Sequence, residues 1–127
     1  MSDLVKEWIE KAEGDYITAL REYRARKSPN YDASVFHAQQ CIEKYMKAFL
    51  QKQEIAFGKV HDLIALMELD PENFSFLQFY REYLAYLNQF AVAYRYPGDT
   101  ATKDQAKKAI QMMKILRAVL RKMLGQK

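Results

Sequence analysis

Apolar residues recur at steps of three and four along most of this chain, with charged residues between them, as in helices that bury one face. From about Asp3 to Arg26 the stripe is Leu4, Trp8, Ala12, Tyr16, Ala19, Leu20 and Tyr23. Gly14 interrupts that stretch at a cost of about 1 kcal/mol relative to alanine, which points to a close helix contact there. "KSPN" breaks the pattern, and Ser28 or Asn30 can cap a second helix over about Tyr31 to Gln53. After "GKVHDL" a shorter helix opens near Asp62 and reaches about Leu69. "DPEN" resets the chain: Asp70 can cap, Pro71 suits a first helical position, and Glu72 complements the dipole. A long fourth helix is then expected, with Leu77, Tyr80, Leu84, Leu87, Ala91 and Tyr94 on its buried seam and "RYPGD" as its stop. Thr102 with Gln105 forms a capping box for a fifth, which runs to about Leu124 over Ala106, Ile110, Met113, Leu116, Leu120 and Met123. The expected fold is all-α, an up-and-down bundle of four long helices plus a shorter one, in a single domain over residues 1–127.

Composition narrows this further. A chain of 127 residues with only 4 glycines and 3 prolines has too few turn residues for a many-stranded sandwich, and half of it is apolar, enough for one core. Cys41 is the only cysteine, which rules out an intrachain disulfide framework and reads as a small buried hydrophobe. The N-terminus is charged from Asp3 onward, and no apolar run approaches the roughly 20 residues of a membrane span, so a cytoplasmic protein with no membrane partner is expected. The net charge of +4 is concentrated from Asp99 to the end, where eight lysines and arginines meet two aspartates, Asp99 and Asp104. That surplus reads first as the solvated face of the last helix and permits an anionic partner.

The chemistry-bearing stretch is "FHAQQCIEKYMKAFL", residues 36–50. At about 100° per residue, His37, Gln40, Lys44 and Lys47 fall within an arc of about 80°. Val35, Cys41, Ile42, Tyr45, Met46 and Phe49 occupy the other half, and Glu43 can pair with Lys47 one turn on. A second candidate is "YRYPGD", where Arg95 stands between Tyr94 and Tyr96 at a helix end. Its guanidinium could bind a phosphate with two parallel bonds, or could cap its own helix. His61 in "KVHDL" reads as ordering its turn with Asp62. No histidine follows a glutamate by three residues, so a di-iron bundle is excluded and no metal site is expected.

Taken in order, "AEGDYITA", "FHAQQCIEKYMKAFL", "KVHDL" and "YRYPGD" resemble the HEPN domain family, over nearly the whole chain. The resemblance implies a helical bundle, often paired as a homodimer. In one branch it implies a nucleotide-binding partner of a minimal nucleotidyltransferase, in toxin–antitoxin-like pairs. Another branch consists of ribonucleases that use an arginine followed, four to six residues on, by histidine. Here Asp99, Thr100 and Ala101 occupy that window and both histidines precede Arg95, so the histidine suited to metal-independent cleavage is missing. A catalytic role is therefore not expected, and RNA is not the favoured ligand.

The resulting expectation is a nucleotide-binding helical module that needs no resident cofactor and takes a ligand such as ATP. Arg95, Tyr96, Lys44, Lys47, His37 and Gln40 would hold the nucleotide, with Tyr94, Glu43, His61 and Asp62 in support. The rival is an interaction protein without a small ligand. Phe74, Phe76 and Phe79 lie too close together all to face inward, and a homodimer seam is one use for those left outside.

Overall fold

In the computed structural model, which describes residues 1–92 and 97–127, five α-helices and one 3₁₀ turn are present among the described residues, without strands. They are α1 (Asp3–Arg24), α2 (Tyr31–Lys52), α3 (Leu63–Glu68), the 3₁₀ helix Ser75–Tyr80, α4 (Arg81–Asn88) and α5 (Lys103–Met123). The caps follow the expected chemistry. The Asn30 carboxamide accepts from the Ala33 amide, the Asp62 carboxylate from Ile64 and Ala65, and Thr102 and Gln105 close a reciprocal box.

Helix α2 is central, packed against α1, α3, α4 and α5. From Cys41 to Leu50 every residue except Lys44 is buried. Helix α1 runs antiparallel to it: Ser34 Oγ donates to the Ala19 carbonyl near one end, and Lys47 meets Trp8 near the other. Helix α5 runs parallel to α2, fastened where the Ala101 amide donates to Asp32 and again where Arg121 donates to the Tyr45 hydroxyl. The buried apolar side chains of all these elements form one continuous cluster.

Three details depart from the sequence pattern. On α1 the inward seam is Val5, Ile9, Ala12, Asp15 and Ala19, while Leu4 is 48% exposed. The small side chains of Ala12 and Ala19 let α2 approach along that line, and Leu4 falls to one side of it. Gly14 marks no close contact, since a β-carbon placed on it would meet nothing within 4 Å.

The fourth segment is not one long helix. Residues 71–74 are a turn in which Asp70 accepts from the Asn73 side chain and the Phe74 amide, so Pro71 opens no helix. Phe74, Leu77 and Tyr80 then recur every third residue, and a helix of three residues per turn keeps all three against the core. Helix α4 continues through Leu84 and Leu87 and ends at Asn88, where the tighter bonds Phe90 N–Leu87 O and Ala91 N–Asn88 O take over. Of the expected seam, Tyr94 lies outside the described residues. No helix among the described residues is long and apolar enough to cross a membrane.

Because Gly14 is helical and open on its outer side, Gly14→Ala should raise the free energy of unfolding by about 1 kcal/mol. A urea titration followed by circular dichroism will read this as a higher midpoint with an unchanged slope.

Candidate functional site: carboxylates between the central helices

Asp15 sits on the buried seam of α1, three residues after Ala12 and four before Ala19, and so faces α2. His37 and Lys44, two turns apart on α2, both reach it. His37 Nδ1 lies 2.7 Å from one carboxylate oxygen and Lys44 Nζ 2.6 Å from the other. A carboxylate this well buried is tolerated only when charge and hydrogen bonds replace the water it has lost, and these two bases supply both. Their outer parts stay accessible, with 30% of the His37 side chain and 24% of the Lys44 side chain exposed.

On the same stretch of α2, next to Lys44, Glu43 anchors a second cluster. Lys47 Nζ donates to it at 3.1 Å, and the side chains of this pair are only 5% and 4% exposed. The Lys47 ammonium also lies 5.8 and 5.7 Å from the ring centres of Trp8 and Phe57, which cover it. His61 Nδ1 stands 3.1 Å from both Glu43 oxygens and donates its proton to that carboxylate, which turns the other ring nitrogen outward. Gln39 ties the group together by donating to Glu43 at 3.3 Å and to the His61 carbonyl at 2.9 Å, while Gln40 donates to the Gln39 oxygen at 2.7 Å. The His61 side chain is 61% exposed, so the cluster reaches solvent through its imidazole.

A third carboxylate joins α1 and α2 to α5. Glu13 takes two bonds from Arg117, at 2.7 and 2.5 Å, and one from the Tyr45 hydroxyl, which in turn accepts from Arg121 at 2.8 Å. The Arg117 guanidinium stacks 4.0 Å from the centre of the Tyr16 ring. Burial alone would push the Glu13 carboxyl up, but the bonds from Arg117 and Tyr45 and the charges of Arg117 and Arg121 hold it below the usual carboxylate range. Burial, reinforced by Glu13, pushes the Tyr45 hydroxyl well above its ordinary value, so it stays a neutral donor. Burial likewise raises the Cys41 thiol, which removes it as a nucleophile.

These clusters place the sequence candidates unevenly. His37, Lys44, Glu43 and Lys47 are brought together, and the Glu43–Lys47 pair forms as its spacing suggests. Lys47 is not on a wet face, however, and Gln40 is spent on Gln39. His61 bonds Glu43 and not Asp62. Asp62 instead caps α3 and accepts from the Asn88 side chain at 2.8 Å, whose oxygen takes the Leu63 amide. Burial raises the Asp62 carboxyl, but its bonds from Ala65, Asn88 and Ile64 outweigh this and hold it low. Arg95, Tyr96 and Tyr94 lie outside the described residues.

The sequence pattern does not single out Asp15, Glu13, Gln39 or Arg117 as site residues. The one signal in the sequence was an aspartate at an inward α1 position, opposite a helix with basic residues at two-turn spacing. Among the described residues no group of three His, Cys, Asp or Glu side chains is placed to hold a metal ion.

The HEPN domain profile matches residues 5–123. This chain belongs to the HEPN family. Its backbone is also similar to the crystal structure of ST0689, an archaeal HEPN homologue, with a TM-score of 0.68 and 24% identity over 92% of this chain and 94% of that one. No curated protein sequence matches the chain. In this HEPN domain the first three quoted motifs fall on α1, α2 and the turn before α3, and all three carboxylate clusters draw on them.

Removing one member of the buried Glu43–Lys47 pair should cost about 3–5 kcal/mol, because the other charge is left without a partner. Glu43→Leu alone will show this in chemical denaturation, and Glu43→Leu with Lys47→Met should recover most of the loss. Glu13, held low in the folded state, lends stability that is complete above its ordinary value and lost as pH falls through its folded value. Unfolding free energy should therefore drop as pH falls below the ordinary carboxylate range, and Glu13→Gln should flatten that slope.

Proposed function

We propose that this HEPN domain binds nucleotides through the polar side of α2 and works beside a small nucleotidyltransferase, as the paired module of a toxin–antitoxin-like system. The observation that carries this is the charge balance of the site. Glu13, Asp15 and Glu43 face four permanent cations, Lys44, Lys47, Arg117 and Arg121, which leaves one positive charge in excess before either imidazole is protonated. The surplus lies where Glu13 faces both Arg117 and Arg121, while the Asp15 and Glu43 clusters present the partly exposed side chains of His37, Lys44 and His61, a combination that suits a ligand that is anionic and rich in hydrogen-bond acceptors.

Each residue takes a role its surroundings allow. Lys44 and His37, held in place by Asp15, offer their remaining donors to phosphate oxygens. Lys47 is too deeply covered to reach a ligand and acts by fixing Glu43, and through it His61. Arg95 supplies the bidentate phosphate contact, and Tyr96 or Tyr94 a stacking face for the base. The α4 turn that leads toward Arg95 in the chain is bolted by Asn88 to the Asp62–Leu63 turn beside His61. The module is proposed to act by binding and not as a ribonuclease, with a homodimer as its assembly.

The test is a calorimetric titration with ATP, the other nucleoside triphosphates and a short RNA at two salt concentrations. Saturable binding of a triphosphate is expected, weaker at high salt. Arg95→Ala should reduce it at least about tenfold with helicity unchanged, in line with the loss of a charge-assisted phosphate contact. No heat with any nucleotide would overturn the proposal, and metal-independent cleavage of the RNA would overturn its non-catalytic part.

A further inference from the structure

Away from that site, the opposite flank of α5 carries an apolar strip with no partner. One groove of about 380 Å³ is lined by Phe76, Phe79, Tyr80, Val119, Lys122 and Met123. A second, of about 460 Å³, lies between Tyr83 and the Met112–Ile115 turn, with Lys108 and Lys114 at its edge. The two adjoin. Ile115 and Val119 are one helical turn apart on α5, and the rings of Tyr80 and Tyr83 are 5.5 Å from centre to centre. Phe76 and Phe79 are 65% and 87% exposed, and Ile115 is 40% exposed. Large apolar side chains left together in water mark a binding surface more often than isolated ones do.

The geometry suits a helix. From Lys108 to Met123 the strip follows α5 for about 22 Å at 1.5 Å per residue, the length of some fifteen helical residues. It is also a trough between α5 and the 3₁₀–α4 segment, which a cylinder of side chains fills better than a flat lipid surface does.

The charge identifies the occupant. The charged residues lining the two grooves are Lys108, Lys114 and Lys122, with no carboxylate among them. Lys108 has an exposed partner in Asp104 at 3.3 Å, and neither Lys114 nor Lys122 has an ion pair among the described residues. Glu82, next to Tyr83 in the chain, lines neither groove. A second copy docked here about a twofold axis would set one lysine rim against another, which is unfavourable. We infer that the Phe76–Phe79–Val119–Met123 trough docks an acidic amphipathic helix of a protein partner, whose apolar stripe covers the aromatics and whose flanking carboxylates pair with Lys114 and Lys122.

The probe is a fluorescein-labelled 18-residue peptide with leucines at positions i, i+3, i+4 and i+7 and glutamates on both flanks. Its counterpart has lysines in place of the glutamates. Anisotropy titrations into the full chain should show saturable binding of the glutamate peptide only, weakened by salt. Phe79→Ala, and separately Lys114→Glu with Lys122→Glu, should each lower affinity at least about tenfold. These side chains are exposed, so the variants should keep the parent's circular dichroism, and Arg95→Ala should bind the peptide as the parent does. Equal binding of both peptides, no binding of the glutamate peptide, or indifference to Phe79→Ala would each overturn the proposal. So would sedimentation showing a dimer that Phe79→Ala dissolves, or stronger binding to phosphatidylserine vesicles than to the peptide.

Discussion

A helix placed at the centre of a bundle can carry charged groups only if its neighbours neutralise them, and α2 carries His37, Glu43, Lys44 and Lys47 on the way to its buried end. Water cannot do this work where Glu43 and Lys47 sit, and leaving one such charge alone would cost several kcal/mol. The bundle answers with a carboxylate from α1, a carboxylate on α2 itself, and an imidazole from the turn before α3. Among the described residues no buried side-chain polar atom lacks a hydrogen-bond partner. The register of α1 on α2 follows from this, since Asp15 can serve both His37 and Lys44 only when it stands between them.

The same logic sets the position of α5. Glu13 is one residue from Gly14 and two from Asp15 along α1, and it points toward Arg117 and Arg121 while Asp15 points toward α2. A single turn of α1 thus locks two interfaces at once. Directional charge-assisted bonds fix how the helices slide against each other, which apolar packing alone constrains less tightly. Tyr45, buried and held neutral between Glu13 and Arg121, joins the two sets of contacts at their centre.

What this frame offers to function is preorganisation. His37 and His61 each set Nδ1 against a buried carboxylate, which fixes the orientation of the ring. Lys44, bonded to the same Asp15 carboxylate as His37, keeps about a quarter of its side chain exposed, 24%. Groups held this way would lose little entropy on meeting the anionic ligand proposed above.

Much of the fold was legible in the residues alone. The three- and four-residue spacing, the Asn30, Asp62 and Thr102 caps, and the inner face of α5 all depend on contacts within a few positions, and local physics decides such features. The Glu43–Lys47 pair belongs with them, as neighbours one turn apart on one helix. The fourth segment read wrongly because Phe74, Leu77 and Tyr80 suit a three-residue repeat as well as an α-helical seam, and only packing against the core chooses between them. The polar arc of α2 was visible, but not that α2 lies at the centre, so its wet or buried character had to wait for the neighbours. Asp15 with His37, Glu13 with Arg117, and Glu43 with His61 are separated by 22, 104 and 18 residues. The sequence by itself determined which helices form and which residues could bear charge. Which charges meet was decided by the tertiary structure, because that depends on how far each helix slides along its neighbour.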